Sequence, residues 1–429
     1  MTRSRVVAAT SSDRGALVSA GRVDDGGNFY LGGGFSGQAD LGLGTIDATS
    51  VMNIYAASYD AELTPRWVDV FDSPVATNQV QGMVLGADGV SITGPFQGMV
   101  EIGATKLASA GADDRFFVVL DPTTGAPLHA ARYGSTDDDD KGGGIAITDD
   151  GTTFIGGGCN GGDFSFGGAV LGGMDRDPCL CGVSPSGTVV AQRRWADPRP
   201  GGLVALARVD SDLIASGYFT VSATFDSGIL TSAGATDAFI TRLAPDLSSR
   251  WIVQIASDGD DASSALATDA DGAIYFAGST TASTKLTVGG LSFAVDGGDG
   301  FVGKLDPDGT PRWARAIGGP LVDEAHSVTV HDGVVIVAGS FAGTMSLDGL
   351  ELASAGDLDA FVAAFDADTG AALWAERFGG PLADSAHVVV AGTQQLYIAG
   401  YSTGTIDLGS TASDGSDGSD GMFIATQSF

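Results

Sequence analysis

Only five glutamates stand beside 48 aspartates in this chain of 429 residues. Aspartate favours turns and caps over helix interiors, so the imbalance argues against a mainly helical protein. Cations are also few, 21 Lys and Arg against 53 acids, for a net charge of −32. Binding nucleic acid requires clustered basic residues on the phosphates, and an anionic membrane surface requires them too, so neither partner is expected. No apolar run approaches the length that spans a bilayer. Four His and three Cys are too few for a metal-hydrolase cluster, and no Ser-His-Asp or Cys-His motif occurs at nucleophile spacing. The opening MTRSRVVAAT has a basic start but an apolar patch of four residues, too short for the core of a signal peptide. Two expectations are open: a cytoplasmic protein, or an exported one whose signal lies outside this chain.

What is abundant is glycine, 66 residues, within a chain that is 43% hydrophobic and so has ample material for a core. Many Gly and Asp residues mean many turns, and many turns in a β-rich chain mean many short strands. The glycines keep a register. A glycine ending a β-rich segment recurs at Gly33, Gly94, Gly157, Gly217, Gly278, Gly339 and Gly400, spaced 60 to 63 residues apart. A second marker falls 22 or 23 residues after each, at Tyr55, Phe116, Cys179, Phe239, Phe301, Phe361 and Phe423. Seven copies fill the chain. Within one copy, SVTVHDG, VVIVAGSF, DAFVAAFDADTG and AALWAERFGG read as four strands, with tight turns such as Asp271-Gly272 and Asp332-Gly333. Four strands per unit at this period is the pattern of a β-propeller, since solenoid repeats are usually shorter. The expected architecture is all-β, one seven-bladed propeller domain over residues 1–429, and a monomer.

The copies resemble the SBBP-type β-propeller repeats of bacterial surface and secreted proteins. The likeness is carried best by Phe341-Ala342-Gly343, Ser354-Ala355-Gly356, Asp359-Ala360-Phe361-Val362 and Trp374. It extends over the whole chain and is weakest in the third copy. It implies an extracellular or cell-envelope propeller without an assigned activity, and the family offers no catalytic motif to carry over. The stretch FDADTGAALW also resembles the docking repeat of pyrroloquinoline-quinone dehydrogenases. Its Trp recurs at Trp67, Trp251, Trp313 and Trp374 but gives way to His129 and Ala191, and no adjacent Cys pair is present. A Trp that plugs the joint between blades explains the repeat without a cofactor.

Three groups of residues are candidates for chemistry. Carboxylates crowd residues 256–263, Asp137–Asp140 and 414–421, but calcium needs six to eight oxygens at fixed spacing, and the acidic loop motif with its distal Glu is absent. Calcium therefore has only carboxylate density behind it, and no cofactor is expected. His326 and His387 occupy equivalent positions, each three residues after an Asp (Asp323, Asp384), and the fifth copy keeps Asp261 but has Ser264 in the His place. Neighbouring histidines could meet a shared ligand, or record a duplication. Cys159 and Cys179 replace the two aromatics that other copies carry at Phe341 and Phe361. If those aromatics pack across neighbouring strands, the cysteines lie at disulfide distance or form two buried thiols.

Two expectations concern geometry. The chain ends on MFIATQSF, a third strand, while SRVVAAT at the start matches the missing fourth, so residues 5–10 should complete the last blade and cover its edge. The turns between strands one and two and between three and four are tight and share one face. The opposite face receives the connections between strands two and three and the turns into each new blade. A ligand is expected there near blades five to seven, with Asp261, Asp323, His326, Asp384 and His387 as its residues. The function expected is non-enzymatic, a binding or scaffold propeller for a protein or glycan. The alternatives are a quinone-type oxidoreductase or lyase working from the channel, and a purely structural surface protein.

Overall fold

Each marker glycine lies directly opposite its marker aromatic or Cys. Gly339 pairs with Phe361, Gly33 with Tyr55, Gly157 with Cys179, and the same holds in the other four copies. The pairing explains the glycine. A β-carbon on Gly339 would lie 1.9 Å from the Glu324 carbonyl oxygen and 2.7 Å from the Phe361 ring. The aromatic thus lies across a backbone that only glycine leaves bare.

The computed structural model describes residues 3–8, 16–48, 52–72, 78–136, 142–167, 169–173, 176–195, 201–409, 412–413 and 420–429. Among them there is no helix, and none long and apolar enough to cross a membrane. The strands form seven four-stranded antiparallel blades: 16–71, 82–134, 145–194, 201–256, 261–317, 323–378, and 384–428 completed by 3–8. The first strand of each blade touches the first strand of the next, and the seventh touches the first, which closes the ring around a central channel. The fold is a seven-bladed β-propeller.

Closure comes from the N-terminus. Arg3–Ala8 pairs antiparallel with the third strand of blade 7, Asp420–Ser428, in the register Arg3 to Thr426 through Ala8 to Gly421. The strand begins two residues earlier than the sequence suggests, and Ala9 and Thr10 lie outside the described residues. One blade built from both chain ends leaves no open seam in the ring.

Tryptophan joins neighbouring blades at the face of the tight turns. The Trp67 indole N–H donates to Pro122 O at 3.1 Å, Trp251 to Pro307 O at 3.1 Å, and Trp313 to Ala367 O at 3.1 Å. Each acceptor lies in the turn between strands three and four of the following blade. The turn's glycine lies against the indole, so that a β-carbon on Gly370 would come within 2.6 Å of Trp313. The acidic residues of these turns are committed locally: Asp366 accepts from the Thr369 N–H and hydroxyl, and Asp121 from the N–H groups of Thr123 and Thr124. These bonds to the ionised form hold both carboxylates below their usual range.

The connections between strands two and three are ordered rather than free. All seven fold back as small hairpins, such as Lys285–Val288 with Leu291–Ala294 and Thr344–Leu347 with Leu350–Ala353. Five of them bond by backbone to the outer strand of the preceding blade or the residue just after it: Ile255 pairs with Val288, Tyr133 with Phe166 and Gly379 with Asp407, and the N–H groups of Glu101 and Ser346 donate to Asp72 O and Gly318 O. The hairpins thus form a belt across the blade joints. The closing Gly pair of the repeat makes room for it. A β-carbon on Gly380 would lie 1.9 Å from Thr405 O, and one on Gly379 2.5 Å from the Asp359 carboxyl carbon.

Candidate functional site at the channel mouth

The innermost strands bulge at equivalent places. Register shifts between Val18 and Ala20, Leu203 and Ala205, Ser263 and Ala265, Ala325 and Ser327, and Ala386 and Val388 each leave one residue extra. The extra residues are Ser19, Val204, Ser264, His326 and His387, and all of them line the channel, a cavity of about 520 Å³. A bulge re-aims a side chain that a regular strand would turn into the sheet. The two histidines that the sequence singles out are therefore channel residues, carried by bulges on neighbouring blades.

Their rings stack face to face, centroids 4.4 Å apart and planes within 5°. His326 Nε2 lies 3.4 Å from Ser340 Oγ and 3.6 Å from the Glu324 carboxylate, and His387 sits 5.5 Å from the Tyr401 ring. Burial lowers both imidazole pKa values, that of His387 to about 3 with help from its stacked neighbour. Glu324 pulls the other way on His326, but by less than burial does. Both rings are neutral at neutral pH, each offering one nitrogen that donates and one that accepts. Parallel rings point their in-plane lone pairs side by side rather than toward one point, which suits a hydrogen-bonding ligand better than a single metal ion. Among the described residues, no group of three or more His, Cys, Asp or Glu is placed to hold a metal ion.

The three aspartates are not on the surface. Asp261, Asp323 and Asp384 are at most 1% exposed, at the first position of their innermost strands. Asp323 accepts from the N–H groups of Gly319 at 2.7 Å and Ala342 at 3.0 Å. Asp384 accepts from Gly380 N–H at 2.7 Å, and Asp261 from the hydroxyls of Ser257 and Thr280 at 2.8 and 2.5 Å. They lie beneath the face and hold the turns that lead into the blades. The turn into blade 5 exposes Asp258 and Asp260, whereas the turns into blades 6 and 7 expose apolar side chains: Leu321 is 51%, Val322 58% and Leu382 39% exposed. The sequence contains this signal as the paired stretches PLVD and PLAD, each ending in a buried Asp.

The cysteines lie elsewhere. Cys159 and Cys179 are joined in a disulfide, with Cα atoms 5.8 Å apart, inside blade 3, and Cys181 is a buried free thiol. In other blades the same two positions hold an aromatic pair, Phe341 with Phe361 and Phe219 with Phe239, at 6.4 and 6.3 Å between centroids. The carboxylate-rich residues 137–140 and 414–419 lie outside the described residues.

No protein-family model matches the chain, and no curated protein matches it either. Solved structures that resemble it include BamB from Moraxella catarrhalis, at 14% identity over 100% of both chains and a TM-score of 0.45. A catalytically inactive virginiamycin B lyase from Staphylococcus aureus, solved with quinupristin, gives 9% identity, full coverage of both chains and 0.46. The quinohemoprotein alcohol dehydrogenase from Comamonas testosteroni gives 11% identity over 99% of this chain and 76% of its own, at 0.42.

Proposed function

We propose that the protein is a non-enzymatic binding propeller of the cell envelope or extracellular space. Its ligand, a protein segment with an apolar side chain, docks at the channel mouth over blades 5 to 7. The observation that carries this reading is the pair of neutral, stacked imidazoles in the channel wall, on the strands entered by the turns that expose Leu321, Val322 and Leu382. Apolar anchors beside a few oriented polar groups make up a typical ligand site. The resemblance to SBBP-type repeats supports the compartment, and a disulfide suits an oxidising one. The reading requires no cofactor.

The test is a peptide array and a glycan array probed with labelled protein, followed by titration of the hits. A double variant His326→Ala/His387→Ala should weaken peptide hits by about tenfold or more, the scale of a central contact. Asp368→Ala, at an exposed turn on the opposite face, should leave them unchanged. Hits confined to glycans would replace the ligand class. Hits that survive the double variant and fail with Asp368→Ala would move the site to the other face.

A further inference from the structure

At the joints between blades, an Asp opening the third strand of one blade meets the residue opening the first strand of the next. Between blades 5 and 6 these are Asp299 and Asp323, 3% and 1% exposed. A β-carbon on Gly318 would lie 2.5 Å from Asp299 Oδ1 and 2.6 Å from Asp323 Oδ2, so the two oxygens are within about 5 Å of each other. Asp299 Oδ2 accepts from Asp296 N–H, whereas Oδ1 is buried without a hydrogen-bond partner.

Three other joints supply a cation, and between blades 4 and 5 Asp237 and Asp261 also meet without one, with the Gln254 side chain donating to Asp237 and the Ser257 and Thr280 hydroxyls to Asp261. Asp359 is paired with Arg377 and Asp177 with Arg194, each at 2.7 Å, and Asp114 with Arg132. Those arginines stand opposite Phe361, Cys179 and Phe116 on the fourth strand; opposite Phe301, the same place is held by Ala316. Between blades 1 and 2 both acids are replaced by amides. Asn53 pairs with Phe35 as Asp359 does with Phe341, and Asn78 Oδ1 accepts from Gln97 N–H at 2.9 Å as Asp323 Oδ1 does from Ala342. The joint therefore accommodates a neutral pair.

No cation faces Asp299 and Asp323 from any described element around them. Asp296 approaches from the preceding loop and is itself acidic. On blade 6, Glu324 and His326 turn toward each other, and the hairpin strand Thr344–Leu347 has no charged residue. Arg315 is taken by Asp348. A calcium ion would need six to eight oxygens, and both oxygens of Asp323 already hold backbone amides. Two adjacent buried carboxylates without a counter-charge cannot both ionise without a heavy cost.

We propose that the joint between blades 5 and 6 is a pH-sensitive seam, in which Asp299 and Asp323 share one proton at neutral pH and separate when it is lost. The proton satisfies Asp299 Oδ1 and leaves the pair with a single negative charge. Its loss sets two anions against each other beneath the turn 318–322, which carries Leu321 and Val322 and leads to His326. Burial, with the repulsion of Asp323, raises the Asp299 carboxyl to about 7, and burial raises Asp323 to about 6. An unfolded Asp titrates near 3.8, so the folded state binds the proton more tightly. The associated stability is full below that value and is lost as pH rises through about 7. This inference does not depend on what the channel binds.

The experiment is thermal unfolding of the full chain and of Asp299→Asn at about pH 5.5 and about pH 8.5, with and without added calcium. The wild type should melt lower at the alkaline pH. Asp299→Asn should flatten that slope and melt roughly 2–4 °C above wild type at the alkaline pH. Difference infrared spectra of the wild type at neutral pH should show a protonated-carboxyl C=O stretch that Asp299→Asn, or Asp323→Asn if the first variant does not fold, removes. An unchanged pH slope in the variant, or no protonated-carboxyl band in the wild type, would overturn the proposal. So would a calcium-dependent rise in wild-type melting that Asp299→Asn abolishes, because a metal would then supply the charge.

Discussion

A bulge residue faces the channel whatever its identity, and blades 6 and 7 put histidine there where blade 5 has Ser264 and blade 1 has Ser19. The exchange has a thermodynamic consequence. An unfolded His titrates near 6.5, and burial lowers His387 to about 3, so the folded state favours the neutral ring. Stability tied to His387 is therefore complete above about pH 6.5 and falls as pH drops toward 3. His387→Gln, which keeps a neutral polar group, should lose less stability than wild type between about pH 6.5 and about pH 4.5, read as a smaller fall in melting temperature. An equal fall in both proteins would mean that His387 already carries a proton in the fold. The equivalence of the histidines was legible from their spacing. The place of Asp323 and Asp384 was not, because an Asp that caps a turn in solvent and one buried beneath it read alike in PLVD and PLAD.

At the scale of the strand, alternation and turn chemistry made the blades legible, because four strands per copy left the marker glycine and aromatic opposite one another. The hairpin belt was less legible. Stretches such as LGLGTIDATS read as loops because the paired segments are only two to four residues long, and their partners lie partly in another blade. The cysteines show one element solved in two ways: the bond closes a segment with a sequence separation of 20, worth about 3 kcal/mol in the chain-entropy picture, where other blades use two packed rings. Ring closure depends on the shortest-range evidence, a single strand at each chain end. Deleting residues 1–8 should expose the edge of Asp420–Ser428, lower the melting temperature and promote oligomers through that edge, read by light scattering. A truncated protein that melts like the parent and stays monodisperse would show that the N-terminal strand adds nothing to closure.

For the whole molecule, the net charge of −32 is carried on a ring in which acids such as Asp366 and Asp323 are spent on turns and joints rather than gathered into one field. The docking proposed above would accordingly use the bulge histidines and the apolar turns into blades 6 and 7 rather than bulk charge. The opposite face is made of tight turns and the Trp contacts that join blade to blade. Backbone hydrogen exchange, recorded with and without a peptide taken from the array, separates the two faces in a single experiment. Docking at the channel mouth predicts protection confined to residues 318–327 and 380–389, with the turns around Asp332 and Asp368 unchanged. Protection of those turns, with none at the channel mouth, would contradict it.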